Sequence, residues 1–120
     1  MKNLTGKCLN DFNIFLYTKY PNNLISENCG YNYGMFERDL EHLTYILPEN
    51  MNNALIIEFF DSVGIYISTS ALKMFYKDPI FKCKIEFVTE VIECGDLYFK
   101  TRLEATNEAI LKANQLYNEL

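Results

Sequence analysis

Along residues 5–20, apolar side chains recur at Leu9, Phe12, Phe15, Leu16 and Tyr20, the spacing of one helical side. Pro21 ends the pattern, because it lacks the backbone donor that a continuing helix needs. Residues 21–34 are rich in Asn and Gly and read as a loop, which Leu24 and Ile25 pin to the core. Phe36, Leu40, Leu43 and Leu47 then follow at intervals of four, three and four, and Pro48 supplies the next stop. A second helix is predicted over residues 35–47.

The densest apolar run, ALIIEFFDSVGIYIST over residues 54–69, reads as a core β-hairpin. Its first strand covers residues 55–60 and its second runs from Ile65 to about Ser70. Asp61-Ser62-Val63-Gly64 supplies the turn, with Gly64 free to take a positive φ. Asn50, Asn52 and Asn53 form a polar connection into it. Residues 71–79 suit either an extended strand or a helical turn, and Asp78-Pro79 forces a bend.

From residue 81 the alternation is clean: Phe81, Cys83, Ile85 and Phe87 point one way, and Lys82, Lys84 and Glu86 the other. Residues 88–94 accommodate a bulge, a longer strand or a fourth strand, and residues 97–100 read as a short pairing strand. Thr101 and Glu104 make a T-x-x-E capping box for a last helix. One face of it carries Leu103, Thr106, Ile110, Ala113, Leu116 or Tyr117, and Leu120, with a Glu108–Lys112 pair opposite. The predicted fold class is α+β. It is an antiparallel sheet of three to four strands, a hairpin or meander, packed against two N-terminal helices and one C-terminal helix in a single domain, 1–120.

Composition agrees with this outline, since 120 residues with 49% apolar and 15% aromatic side chains can bury a continuous core. No uninterrupted apolar stretch of signal-peptide length follows Lys2, and no window reaches the roughly 18 apolar residues of a membrane span. Neither secretion nor membrane insertion is expected, and the expected location is cytoplasmic. Cys8, Cys29, Cys83 and Cys94 contain no C-x-x-C pair and are expected to be reduced thiols. The glycosylation pattern Asn3-Leu4-Thr5 therefore carries no weight.

Candidate chemistry is sparse. His42 is the sole histidine, and Asp39, Glu41 and His42 do not all converge on a helix surface. Neither metal-ligand spacing, a phosphate-cradling glycine loop nor a local signature around any cysteine accompanies it. Glu58, set among apolar residues, must be paired, neutralised or exposed. With Asp61 it forms the one carboxylate pair whose surroundings could raise a pKa for acid/base work. The simpler reading makes Asp61 a turn residue and points Glu58 to the sheet rim, or to Lys82 or Lys84. No catalytic residue, cofactor or metal is expected, and the chain is not expected to be an enzyme.

Charge is more suggestive. Residues 21–72 hold seven acids (Glu27, Glu37, Asp39, Glu41, Glu49, Glu58 and Asp61) against Arg38, a local balance of −6 within a net charge of −5. Such a face repels phosphates, which argues against direct nucleic-acid binding and suits a partner with a basic surface. The expected partner-binding residues are Tyr31, Tyr33, Glu37, Asp39, Glu41, Glu49, Glu58 and Asp61, the tyrosines offering contact area at small entropic cost.

Three motifs carry a resemblance. Leu4-Thr5-Gly6-Lys7-Cys8 with Asp11-Phe12, then Phe59-Phe60-Asp61-Ser62-Val63-Gly64-Ile65, then Thr101-Arg102, Glu104-Ala105, Ala109-Ile110 and Lys112-Ala113-Asn114 resemble small proteins encoded by bacterial phages and prophages. Heavy use of Asn, Ile, Lys, Tyr and Phe fits an AT-rich genome. The resemblance spans most of the chain and implies no catalytic residues. It implies an anti-defence role in the host cytosol: an acidic anti-CRISPR protein that occludes the basic nucleic-acid channel of an RNA-guided nuclease. The alternatives are a small-molecule or nucleotide-sequestering module with an aromatic pocket, and a structural or accessory phage protein that self-associates through a strand edge.

Overall fold

The computed structural model describes residues 3–19, 47–72, 79–87, 90–93 and 98–120. Within them the chain forms α1 (Gly6–Lys19), α2 (Glu49–Ser62), β1 (Ile65–Leu72), β2 (Ile80–Phe87), β3 (Glu90–Glu93) and α3 (Arg102–Glu119). The three strands make an antiparallel sheet in the order β1-β2-β3, so the fold is α+β as predicted. The helix expected over residues 35–47 and the loop before it lie outside the described residues, Leu47 excepted.

The first strand of the predicted hairpin is a helix. Residues 55–60 belong to α2, and so do Asn50, Asn52 and Asn53, the residues expected to form a polar connection. A continuous apolar run of six residues has no period of its own, so it fits a buried strand and a buried helical segment equally. The decision is made by Asn53, Ile56, Phe59 and Phe60, which share a helical side and are all buried. Asn53 tolerates burial because its Nδ2 donates to Asn107 Oδ1 of α3 at 2.7 Å. Pro48 precedes the first turn, where its missing N–H costs nothing, and its carbonyl accepts from the amides of Met51 and Asn52. Gly64, with φ 82°, is the left-handed residue just beyond the helix rather than part of a hairpin turn.

Strand pairing follows the alternation read from sequence. In β1 and β2 the pairs run from Ile65 with Phe87 to Leu72 with Ile80, and in β2 and β3 from Lys84 with Glu93 to Phe87 with Glu90. The row Ile67-Ile85-Ile92 faces the helices, while Tyr66-Glu86-Val91 lies on the opposite face. Residues 71 and 72 complete β1, residues 90–93 form the third strand, and Phe99 makes an isolated bridge with Phe81 instead of a short strand.

The core joins all three helices to the sheet: Leu4, Cys8, Phe12 and Leu16 at the N-terminal end, Ile56, Phe59 and Phe60 of α2, Ile65, Cys83 and Ile85 of the sheet, and Ala105, Ala109, Ile110 and Ala113 of α3. Alanines on α3 let its backbone approach the sheet closely. Thr101 caps the helix as expected, its Oγ1 accepting from the Glu104 amide at 3.1 Å, while Glu104 Oε2 reaches one residue past the cap and accepts from the Lys100 amide. Leu103 and Leu120, assigned to the buried face, are instead exposed (38% and 64%), because they lie at the two ends of the helix. The Glu108–Lys112 ion pair does not form among the described residues.

The start of α1 is held by the far end of the chain. Asn114 Oδ1 accepts from the Thr5 amide (3.0 Å), and Asn118 Oδ1 from the Cys8 amide (2.8 Å). Asn118 Nδ2 also donates to the Thr5 carbonyl. These are helix-capping bonds supplied by tertiary neighbours one turn apart on α3. Gly6 has φ 59°, and a Cβ there would lie 3.3 Å from Asn118 Oδ1.

Candidate interaction site

Three of the eight residues expected to contact a partner lie within the described part of the chain: Glu49, Glu58 and Asp61, all on α2. Tyr31, Tyr33, Glu37, Asp39 and Glu41 lie outside it, as does His42. Helical geometry divides the three. Glu58 and Asp61, one turn apart, share a side, whereas Glu49 lies nine residues earlier, roughly 13.5 Å along the axis and about half a turn round.

Their surroundings differ as well. Glu49 is exposed in the first turn, where the helix dipole favours a carboxylate, and it accepts from Asn107 Nδ2 at 3.0 Å. Glu58 is partly exposed and forms an ion pair with Lys19 at the end of α1. That corrects the expected pairing with Lys82 or Lys84: once residues 55–60 are helical, the carboxylate faces a neighbouring helix rather than a neighbouring strand. Lys84 faces Glu86 on its own strand instead, at 3.1 Å. Asp61 is exposed in the last turn of α2, where the dipole disfavours an acid and no basic residue compensates. Across its length α2 carries three acids and no base.

A second group of titratable side chains lies where α1 meets α3. Tyr117 Oη donates to Asp11 Oδ2 at 2.6 Å, and Lys7 Nζ sits 4.9 Å from the Tyr117 ring centroid. Burial, then the hydrogen bond to Asp11 and its charge, push the Tyr117 hydroxyl up to about 12. Burial, followed by the charge of Asp11, raises the Cys8 thiol to about 12 as well. A thiol so raised stays protonated at neutral pH, which makes Cys8 a core residue and a poor nucleophile.

Cys8 is free, but Cys83 is disulfide-bonded, which corrects the expectation of four reduced thiols. Its partner lies outside the described residues. Pairing between cysteines far apart in sequence leaves no local spacing signature, so the absence of C-x-x-C could not exclude it. Among the described residues no three His, Cys, Asp or Glu side chains converge as a metal site, and no helix is long and apolar enough to cross a membrane.

Two contacts central to this region left no sequence signal. Lys19 as the partner of Glu58 requires knowing that α1 and α2 pack side by side. Arg102 donates to Thr69 Oγ1 (2.7 Å) and to the Thr69 carbonyl (3.3 Å), with its guanidinium carbon 5.2 Å from the Phe81 ring centroid. Comparison with protein-family models, curated proteins and solved structures finds no match in any of the three.

Proposed function

We propose that this chain is a non-enzymatic protein-binding inhibitor of the anti-CRISPR kind carried by phages and mobile elements. On this reading an acidic surface docks on the basic nucleic-acid channel of a host RNA-guided nuclease, in the host cytosol, and competes with guide or target strand. The observation that carries it is Asp61, an exposed carboxylate kept at the negative end of a helix that has three acids and no base. An acid there does not serve the helix, whereas it does serve electrostatic attraction to a basic partner. The acidic segment that precedes α2 in sequence extends the same charge.

A competition assay tests the proposal. A guide-loaded effector nuclease is mixed with labelled target DNA and increasing amounts of this protein, and the bound fraction is read by gel mobility. Wild type should release the target in proportion to its concentration, and the combined variant Glu37→Lys, Asp39→Lys, Glu41→Lys and Asp61→Lys should not. Equal release by wild type and variant, or none by wild type, rejects the proposed surface. Glu58 is left unchanged because its ion pair joins α1 to α2.

A further inference from the structure

We propose that the open edge of β1 is a self-association edge, which pairs antiparallel with β1 of a second copy of this chain about a two-fold axis at Ser68. Backbone direction is the starting point. Phe81 exchanges two hydrogen bonds with Phe99, each 2.8 Å, so its N–H and C=O point away from β1. Alternation along β2 then turns the polar groups of Ile80, Lys82, Lys84 and Glu86 toward β1, where they meet Leu72, Ser70, Ser68 and Tyr66. The N–H and C=O groups of Ile65, Ile67, Thr69 and Ala71 therefore point outward. The bond from Arg102 to the Thr69 carbonyl agrees with that direction.

Among the described residues no strand pairs with this outward row, and Arg102 is the one side chain that bonds to it. Edge strands usually protect themselves with a charge, a proline, a bulge or short length. β1 has none of these: it runs eight residues, IYISTSAL, in unbroken register with β2.

The strand's chemistry selects its occupant. The strand has no charge of its own and Arg102 is the one described charge bound to its edge, which gives a basic peptide nothing to pair with, while a chain of net charge −5 repels its own copies over much of its surface. β1 is a stretch where two copies can meet without that repulsion. The register is also self-complementary. With the axis at Ser68, Ile65 faces Ala71 of the second copy and Ile67 faces Thr69 of the second copy, and the reciprocal pairs follow by symmetry. All four outward residues then exchange bonds, and since a carbonyl oxygen has two lone pairs, Thr69 can accept from its new partner and retain Arg102. Isologous pairing closes at two copies and joins two three-stranded sheets into one of six.

Sedimentation velocity over a range of protein concentrations tests the inference. Wild type should move from monomer to dimer and grow no further. Ser68 is exposed and stands opposite Lys84 of β2, so Ser68→Glu suits the monomer's fold while setting two negative charges against each other at the axis. That variant should remain monomeric at every concentration, with an unchanged circular dichroism spectrum. Ala71→Pro removes an outward N–H that β2 does not use, and should weaken dimerisation by about tenfold or more. It decides the question if Ser68→Glu fails to fold. A wild type that stays monomeric, one that grows beyond two copies, or variants that dimerise as tightly as wild type would each overturn the inference.

Discussion

Phe59 is the residue on which the three helices converge. Its ring meets those of Phe12 and Phe15 edge-on at 5.7 Å and that of Tyr117 at 5.6 Å, so one side chain of α2 touches both α1 and α3. Truncating it removes contacts with two elements at once and leaves a cavity that rigid neighbours cannot fill. Phe59→Ala should therefore cost about 3–5 kcal/mol of folding stability by urea denaturation, and a loss under about 1 kcal/mol would contradict its central position. Cys8 and Tyr117 make a second residue-scale prediction. Both are raised to about 12, from ordinary values of 9.0 and 10.0, so the native state holds their protons more tightly than the unfolded chain. Their contribution to stability is complete below about pH 9 and is lost as pH climbs toward 12. The urea midpoint should decline across that window, and Tyr117→Phe should decline less.

At the scale of elements, legibility depended on whether a segment carries its own periodic signal. β2 alternates strictly, α1 has a three-and-four stripe and α3 begins with a capping box, and each forms where the sequence places it. α2 was misread because Leu55-Ile56-Ile57 and Phe59-Phe60 are apolar on every side, and because its Asn-rich first turns look like a loop. The buried Asn53 in those turns is satisfied by Asn107 on α3, a partner that no local pattern reveals. Gly64 shows the same ambiguity, since a positive φ serves a hairpin turn and a helix terminus alike. No atom lies within 4 Å of a Cβ built there, so backbone conformation alone requires glycine. Gly64→Ala should destabilise the protein by about 1–2 kcal/mol while leaving its helix content unchanged, as read by denaturation and circular dichroism. A neutral effect would remove Gly64 as the residue that ends α2.

At the scale of the whole molecule, the described helices cover one face of the sheet, and Asn114 and Asn118 fasten the start of α1 to the far end of α3. The proposed partner-binding set rests on charge, not on a local motif. Sequence places seven acids in one segment, but their grouping depends on turns of helix, and Glu49 stands apart from Glu58 and Asp61 for that reason. Glu58 is engaged with Lys19 and Glu49 with Asn107, so of the three acids on α2 Asp61 is the clearest candidate to meet a partner. If the acidic surface drives docking, affinity for the effector nuclease must depend on ionic strength, because contacts between exposed charges are screened by salt. The most direct measurement is the dissociation constant of that complex at increasing salt, for wild type and for Asp61→Lys. The account predicts steep weakening with salt for wild type, and a weaker, flatter dependence for the variant. Binding that ignores salt, or a variant that matches wild type throughout, would contradict it.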